Sequence, residues 1–317
     1  MATNPNPDIA RRNYIGIGIG NNVAAQTWIR WLDEDVRPMT EVIENDSAMG
    51  VVEEINDSEV AAKWVEGNLG GKITVQSFGF ILLNHYGAVS TGTAVSGKYP
   101  HTFSVSQLAV APVMTYIRKT PLSTKRHNKL TIDTLEITAE EKAYVTYSSA
   151  IKATIGTEST ETPAFITESE FQAKNIVVKE ASTAAALSAA DPKRVISFKL
   201  NSERPSEAEF TLGNDDDPDF YRQTFKANGE MVVNYQDTAV DDELVNNTIR
   251  AMSITMTNGT DELSFTMTKV KTRELERSSD KNEKVTATIQ FIAEYDATVG
   301  RAIQPLLKNA RASYTAA

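Results

Sequence analysis

The sequence predicts a mainly β protein, an antiparallel β-sandwich or barrel with one or two short helices, and three observations carry that prediction. Met252, Ile254 and Met256 alternate with Ser253, Thr255 and Thr257, and Leu263, Phe265 and Met267 alternate with Ser264, Thr266 and Thr268. Val285, Ala287, Ile289 and Phe291 keep the same period, with Thr286, Thr288 and Gln290 between them. Successive side chains on a strand point to opposite faces, so each run has one buried and one wetted face, as in antiparallel sheet. Thr and Val also crowd residues 129–155, and β-branched side chains suit a pleated surface.

Taken in order, residues 1–20 read as an N-terminal arm, proline-bearing and polar at first, with little to bury. Its end, Gly16-Ile17-Gly18-Ile19-Gly20, lacks the preceding strand and the glycine spacing of a dinucleotide loop and reads as extended chain. Trp28, Ile29, Trp31 and Leu32 form an aromatic cluster before an acidic stretch, the tryptophans as core anchors, and 36–43 is extended. Residues 57–67 fit either a helical stripe or a strand, and context favours the strand. A helix is predicted over 72–86, from Ile73, Phe80, Ile81, Leu82 and Leu83, with Gly87 to end it. Strands follow at 101–105 and 114–117, then a long hairpin pairs 129–137 with 143–155 around Ala139, Glu140 and Glu141. The chain stays extended over 165–179, and the Ala/Ser-rich 181–191 is a linker or surface loop.

These features divide the chain into a first β-rich half at 21–190, a second at 191–298, and a C-terminal arm at 299–317. In the second half Ile196, Phe198 and Leu200 open a strand, and Gly213 to Pro218 form a solvated acidic turn without the alternating ligands of a calcium loop. Met231, Val233 and Tyr235 alternate, and Asp237 or Thr238 caps a helix carrying Val240, Leu244 and Val245. Both halves run strand, short helix, several antiparallel strands, the order expected of two tandem related modules.

The chain has 317 residues, 41% of them hydrophobic, enough for a substantial core. No apolar run is long enough to span a membrane, and the start lacks the pattern of a secretory leader, so no membrane anchor is expected. Cysteine is absent, which removes disulfides and thiolate chemistry. The net charge of −10 argues against specific binding of nucleic acid but not against DNA as cargo. His85, His101 and His127 are too scattered for a metal site, and adjacent carboxylates such as Glu53 with Glu54 point to opposite strand faces. No nucleophile elbow, phosphate loop or zinc-protease motif occurs, so neither enzyme activity nor a cofactor is expected.

Several segments carry a family likeness: Ile196 to Asn201, Phe210-Thr211-Leu212-Gly213, Gly229 to Tyr235 and Lys284 to Asp296, together with Phe78 to Gly87 and Tyr99-Pro100-His101-Thr102-Phe103. Over residues 50–296 the chain resembles the tail tube (major tail) proteins of long-tailed bacteriophages. It departs from them in the Pro112 to Thr115 strand and in the alanine-rich 181–191. The resemblance implies a virion protein, made in the bacterial host cytoplasm, that closes into rings and stacks as a hollow tube through which viral DNA passes without specific binding. Its partners would be copies of itself and other tail proteins. Contacts between subunits and rings would fall on Ile17, Ile19, Ala139, Glu140, Glu141, Tyr144, Val299 and Ile303, and Glu230, Asp237, Asp261 and Glu262 would face the lumen. Two modules per chain would let three chains form a six-module ring; one module would need six chains. The rival readings are a non-polymerising baseplate, tail-tip or adhesin-like binding module and a β-sandwich carbohydrate hydrolase.

Overall fold

Alternating sequence becomes strand along nearly the whole chain. The computed structural model describes residues 9–52, 54–235, 238–278 and 284–315. The first half contains β1 (Tyr14–Ile19), β2 (Thr27–Ile29), β3 (Trp31–Glu34), β4 (Arg37–Asn45), β5 (Asp57–Lys72), α1 (Phe78–Tyr86), β6 (Gly87–Thr91), β7 (Tyr99–Val105), β8 (Met114–Lys119), β9 (Thr124–His127), β10 (Thr131–Ala139), β11 (Thr146–Ala153) and β12 (Thr157–Glu158). It closes with β13 (Ile176–Ala181), and the second contains β14 (Pro192–Lys193), β15 (Val195–Glu203), β16 (Ser206–Glu209), β17 (Asp219–Arg222), β18 (Lys226–Asn234), α2 (Ala239–Val245), β19 (Arg250–Asn258), β20 (Asp261–Arg277), β21 (Thr286–Ala293) and, beyond it, β22 (Gln304–Asn309).

One long sheet runs β14-β13-β19-β20-β21-β18-β15-β10-β11-β5-β3, with β4 continuing along β5 and with β22, β7 and β6 branching from β20. A smaller sheet, β12-β9-β8-β1-β2, packs its apolar side into the same core. The sheets stay open, so the architecture is a sandwich rather than a barrel. Strands from either side of residue 190 interleave: β10 pairs with β15, β13 with β19, and β22 with β7.

The helix is shorter than the sequence predicts. Residues 73–75 carry β-branched side chains, and their backbone bonds sideways, Ile73 N–H to Val145 O and Val75 N–H to Ser169 O, so the chain stays extended through Thr74 and turns over 75–77 into the helix. The helix α1 is buried along its whole length and ends at Gly87, whose φ of 95° is a left-handed cap. Its last carbonyls are met by Arg222, which donates from Nη1 to His85 O (3.1 Å) and from Nη2 to Asn84 O (2.6 Å). A cation at a helix C-terminus complements the dipole, and burial still pulls this guanidinium down to about 9. The 181–191 segment carries a 3-10 turn, Ala184–Ser188, that tucks Leu187 into the interior.

The large sheet contains a repeat. Residues 65–72 of β5 pair with β11 from Val65↔Ala153 to Lys72↔Thr146, and 227–234 of β18 pair with β21 from Ala227↔Ala293 to Asn234↔Thr286. Both pre-helix strands lead into a helix, and α1 packs on β10 as α2 packs on β20. The β10–β11 ladder shifts register between Ile132 and Thr134, and β20–β21 shifts between Thr272 and Glu274. On the other flank, β3–β5 shifts between Trp31 and Asp33, and β15–β18 between Val195 and Ser197. The sheet therefore reads as two units in the same order and sense, β20-β21-β18-β15 followed by β10-β11-β5 and β3–β4.

Two expected outcomes follow. Burial holds the His85 imidazole down to about 3 and that of His127 to about 4. Once unfolded, both titrate near 6.5, so below about pH 6.5 the unfolded chain binds more protons than the folded one. Melting temperature should be flat above about pH 7 and fall between about pH 6.5 and 4; a rise on acidification would contradict this. Tyr314 is buried against Phe80, His101 and Phe103, donates to Gln76 O (2.6 Å) and accepts from Asn309 Nδ2 (2.7 Å). Tyr314→Ala should cost about 3–5 kcal/mol in denaturant unfolding, because the ring and both its hydrogen bonds are lost.

Candidate assembly surfaces

The large sheet presents a buried face and a polar one. On β18, Ala227, Met231 and Val233 turn into the core while Asn228, Glu230 and Asn234 turn away. Glu230 lies opposite Lys199 of β15 on one side and Gln290 of β21 on the other. Lys199 in turn reaches Glu136 of β10 at 2.7 Å. The row continues through Ser148 of β11, which lies opposite Glu136, to Gly70 of β5 and Asp33 of β3. Polar and small residues thus cover one face across both units, which the strict alternation of these strands requires.

A second surface is a two-stranded ribbon. Beyond Val65, β5 has only β4 beside it, and pairing runs out to Asn45↔Asp57. Val42, Ile43 and Val60 along the ribbon, and Met49, Val51 and Ile55 at its tip, are exposed large hydrophobics. Glu41, Glu44, Asp46, Asp57 and Glu59 stand among them. The ribbon's base is braced by the loop before β17, through Lys63 to Asp215 (2.6 Å) and Trp64 against Phe210. An isolated two-stranded ribbon with apolar residues in water is marginal on its own.

The residues predicted as contacts divide into two groups. Glu140 and Glu141 are exposed in the β10–β11 turn, Tyr144 is exposed with the Lys72 ammonium 4.0 Å over its ring, and Val299 is partly exposed. Ile17, Ile19, Ala139 and Ile303 are instead buried in the chain's own core, leaving no surface to offer a second copy. The cause for the isoleucines at 17 and 19 is β1, which sits between β8 and β2 and fills the interior rather than forming an arm. Ile303 immediately precedes β22, which is held between β20 and β7.

Of the acidic residues predicted to face the lumen, Glu230 is on the polar face. Asp261 is tied to Lys98 at 2.5 Å near the start of β20, and Glu262 sits beside it, opposite Thr257 and Lys308. Asp237 lies outside the described residues. All three histidines are engaged by backbone or side-chain partners: His85 Nδ1 with Ile132 O, His127 Nδ1 with Thr154 O, and His101 between Thr91 Oγ1 and Arg311 O. Among the described residues no helix is long and apolar enough to cross a membrane.

The family model described as phage tail tube protein matches residues 40–303, most of the chain and both units of the sheet. The chain belongs to the phage tail tube family. No curated protein matches it. Membership gives the chain a structural role in a phage tail. The ribbon of β4 and β5 was not singled out by sequence, although the exposed Val42 and Ile43 within an acidic stretch were its trace.

Limited proteolysis of the unassembled protein should cut first within 46–56, at the ribbon tip. The nicked chain should keep its sheet, with a melting temperature within about 2 °C of the intact chain, since the tip contributes no core residue. Early cleavage elsewhere would contradict this account.

Proposed function

We propose that this protein assembles into closed rings that stack as the hollow tube of a phage tail, the conduit for DNA during ejection. The observation that carries the reading is the long two-faced sheet, backed by family membership: one face holds the core and helices, the other is polar, and its ends are open. Joining such sheets around a ring removes their edges and leaves a polar inner wall. With two units per chain, three chains supply a ring of six units.

The inner wall is the face carrying Glu230, Glu136 and Glu203, with Lys199 neutralised by Glu136. Carboxylates repel phosphate, and each cationic contact avoided weakens salt-dependent adhesion of DNA. The exposed β10–β11 turn at Glu140 and Glu141, Tyr144, Val299 and the β4–β5 ribbon are the latches between subunits and rings. Other tail proteins meet the two ends of the tube. The protein is made in the host cytoplasm and resides in the virion.

Negative-stain microscopy of the concentrated chain should show hollow tubes, with a mass per ring of three chains. A chain that stays monomeric at all concentrations would overturn the proposal. In an assembled tube the lumen should be net negative, and a basic lining would overturn the assignment of the inner face.

A further inference from the structure

The repeat within the sheet points to how one chain meets the next. Inside the chain, β15 does not end the second unit: its outer edge pairs with β10 of the first unit, from Thr134↔Glu203 to Ala139↔Phe198. The counterpart of β15 in the first unit is β3 with the start of β4, and the counterpart of β10 in the second unit is the distal part of β20, residues 271–277. Among the described residues, each of these has a strand on one side alone: β5 beside 31–39, and β21 beside 271–277. The chain thus carries the two halves of a junction it has already made once internally, one at each end.

We propose that these free edges pair between neighbouring copies, so that the distal edge of β20 in one chain takes the β3–β4 edge of the next in the register of β10 with β15. The proposal rests on the ring-building function above and specifies its contact. Carrying the internal register across the repeat, with Thr134 replaced by Glu274, Glu136 by Glu276, Asn201 by Arg37 and Glu203 by Met39, sets Glu274 opposite Met39 and Glu276 opposite Arg37. Glu276 therefore meets an opposite charge in Arg37, at the place where the internal junction sets Glu136 opposite Asn201.

Burial supports the same pairing. Leu135 of β10 is 1% exposed, covered by β15, whereas its counterpart Leu275 is only partly buried in the single chain. Beside the receiving edge lies a groove lined by Val36, Pro38, Val65 and Ile155, on the face to which Leu275, placed opposite Pro38 in this register, turns. Asp35 donates its N–H inward to Asn68 O, so by alternation Val36 and Pro38 face outward. Pro38 has no N–H, which makes the ladder between copies one bond shorter than its template. The Val36 carbonyl is reached by Arg118 at 3.4 Å and keeps a second lone pair.

Because the chain has no cysteine, disulfide trapping is clean. Arg37 and Glu276 form a non-hydrogen-bonded pair in this register, with Cα atoms about 4.5 Å apart, within disulfide reach. Under mild oxidation at assembling concentrations, the Arg37→Cys/Glu276→Cys chain should give a ladder of covalent multimers. The off-register Arg37→Cys/Thr272→Cys chain should crosslink at least tenfold less, and each single variant should not crosslink. Separately, Arg37→Glu should raise the concentration needed for assembly about fivefold, and adding Glu276→Arg should restore it. Tubes that form without in-register crosslinking, or a charge swap that fails to restore assembly, would overturn the junction while leaving the tube function standing. Absence of both tubes and crosslinks at every concentration would overturn both.

Discussion

The pairing of β15 with β10 is the constraint on which the rest of the molecule depends. It joins the end strand of one unit to the end strand of the other, across about sixty residues of sequence. Without it there would be two small sheets, each with a short core; with it there is one wall whose buried side runs without a break from Val65 to Met267. The ladder also fixes the relative tilt of the two helices, because α1 rests on β10 and α2 on β20. Lys199 and Glu136 lie across this joint on the wetted side, where the pair adds little energy and much registry.

The buried side is held by a few polar anchors. Arg222, from the insertion between β15 and β18, closes the end of α1, and Asn84 bridges that helix to β10 by donating to Leu130 O and accepting from Ile132 N–H. Most of these bonds go to backbone, and one joins the two side chains, Arg222 Nη2 to Asn84 Oδ1 (3.2 Å), so together they fix the helix end against β10. Asn309 and Tyr314, hydrogen-bonded to each other, bind the final segment to the loop before α1 through Val75 O and Gln76 O.

Much of the fold was legible because strict alternation leaves few alternatives: the 252–257, 263–268 and 285–291 runs became β19, β20 and β21 with the expected faces buried, in β21 from Ala287 on, Val285 alone lying exposed before it. The family likeness was legible in the same strands. What the sequence hid was set by tertiary pairing. Ile73 looks helical in a hydrophobic run, yet sideways backbone partners at Ile73 and Val75 keep these residues out of the helix. Ile15, Ile17 and Ile19 are separated by glycines and near a polar start, which resembles an arm, but glycine at 16 and 18 lets β1 lie close against Ala25, Trp28 and Ala24, where a Cβ would clash. The polar face was harder still, since it is assembled from seven strands scattered over the chain, and only Glu230 among its carboxylates was anticipated.

The matched register shifts give the wall a built-in geometry. A β-bulge bends a strand and raises its twist, and here each unit carries one bulge on either flank at equivalent places: 132/134 and 31/33 in the first, 272/274 and 195/197 in the second. Equal bends at equal intervals describe an arc of constant radius. In the proposed ring, the calibre of the bore then follows from single inserted residues, repeated along the chain, and the number of subunits from how many such arcs complete a circle.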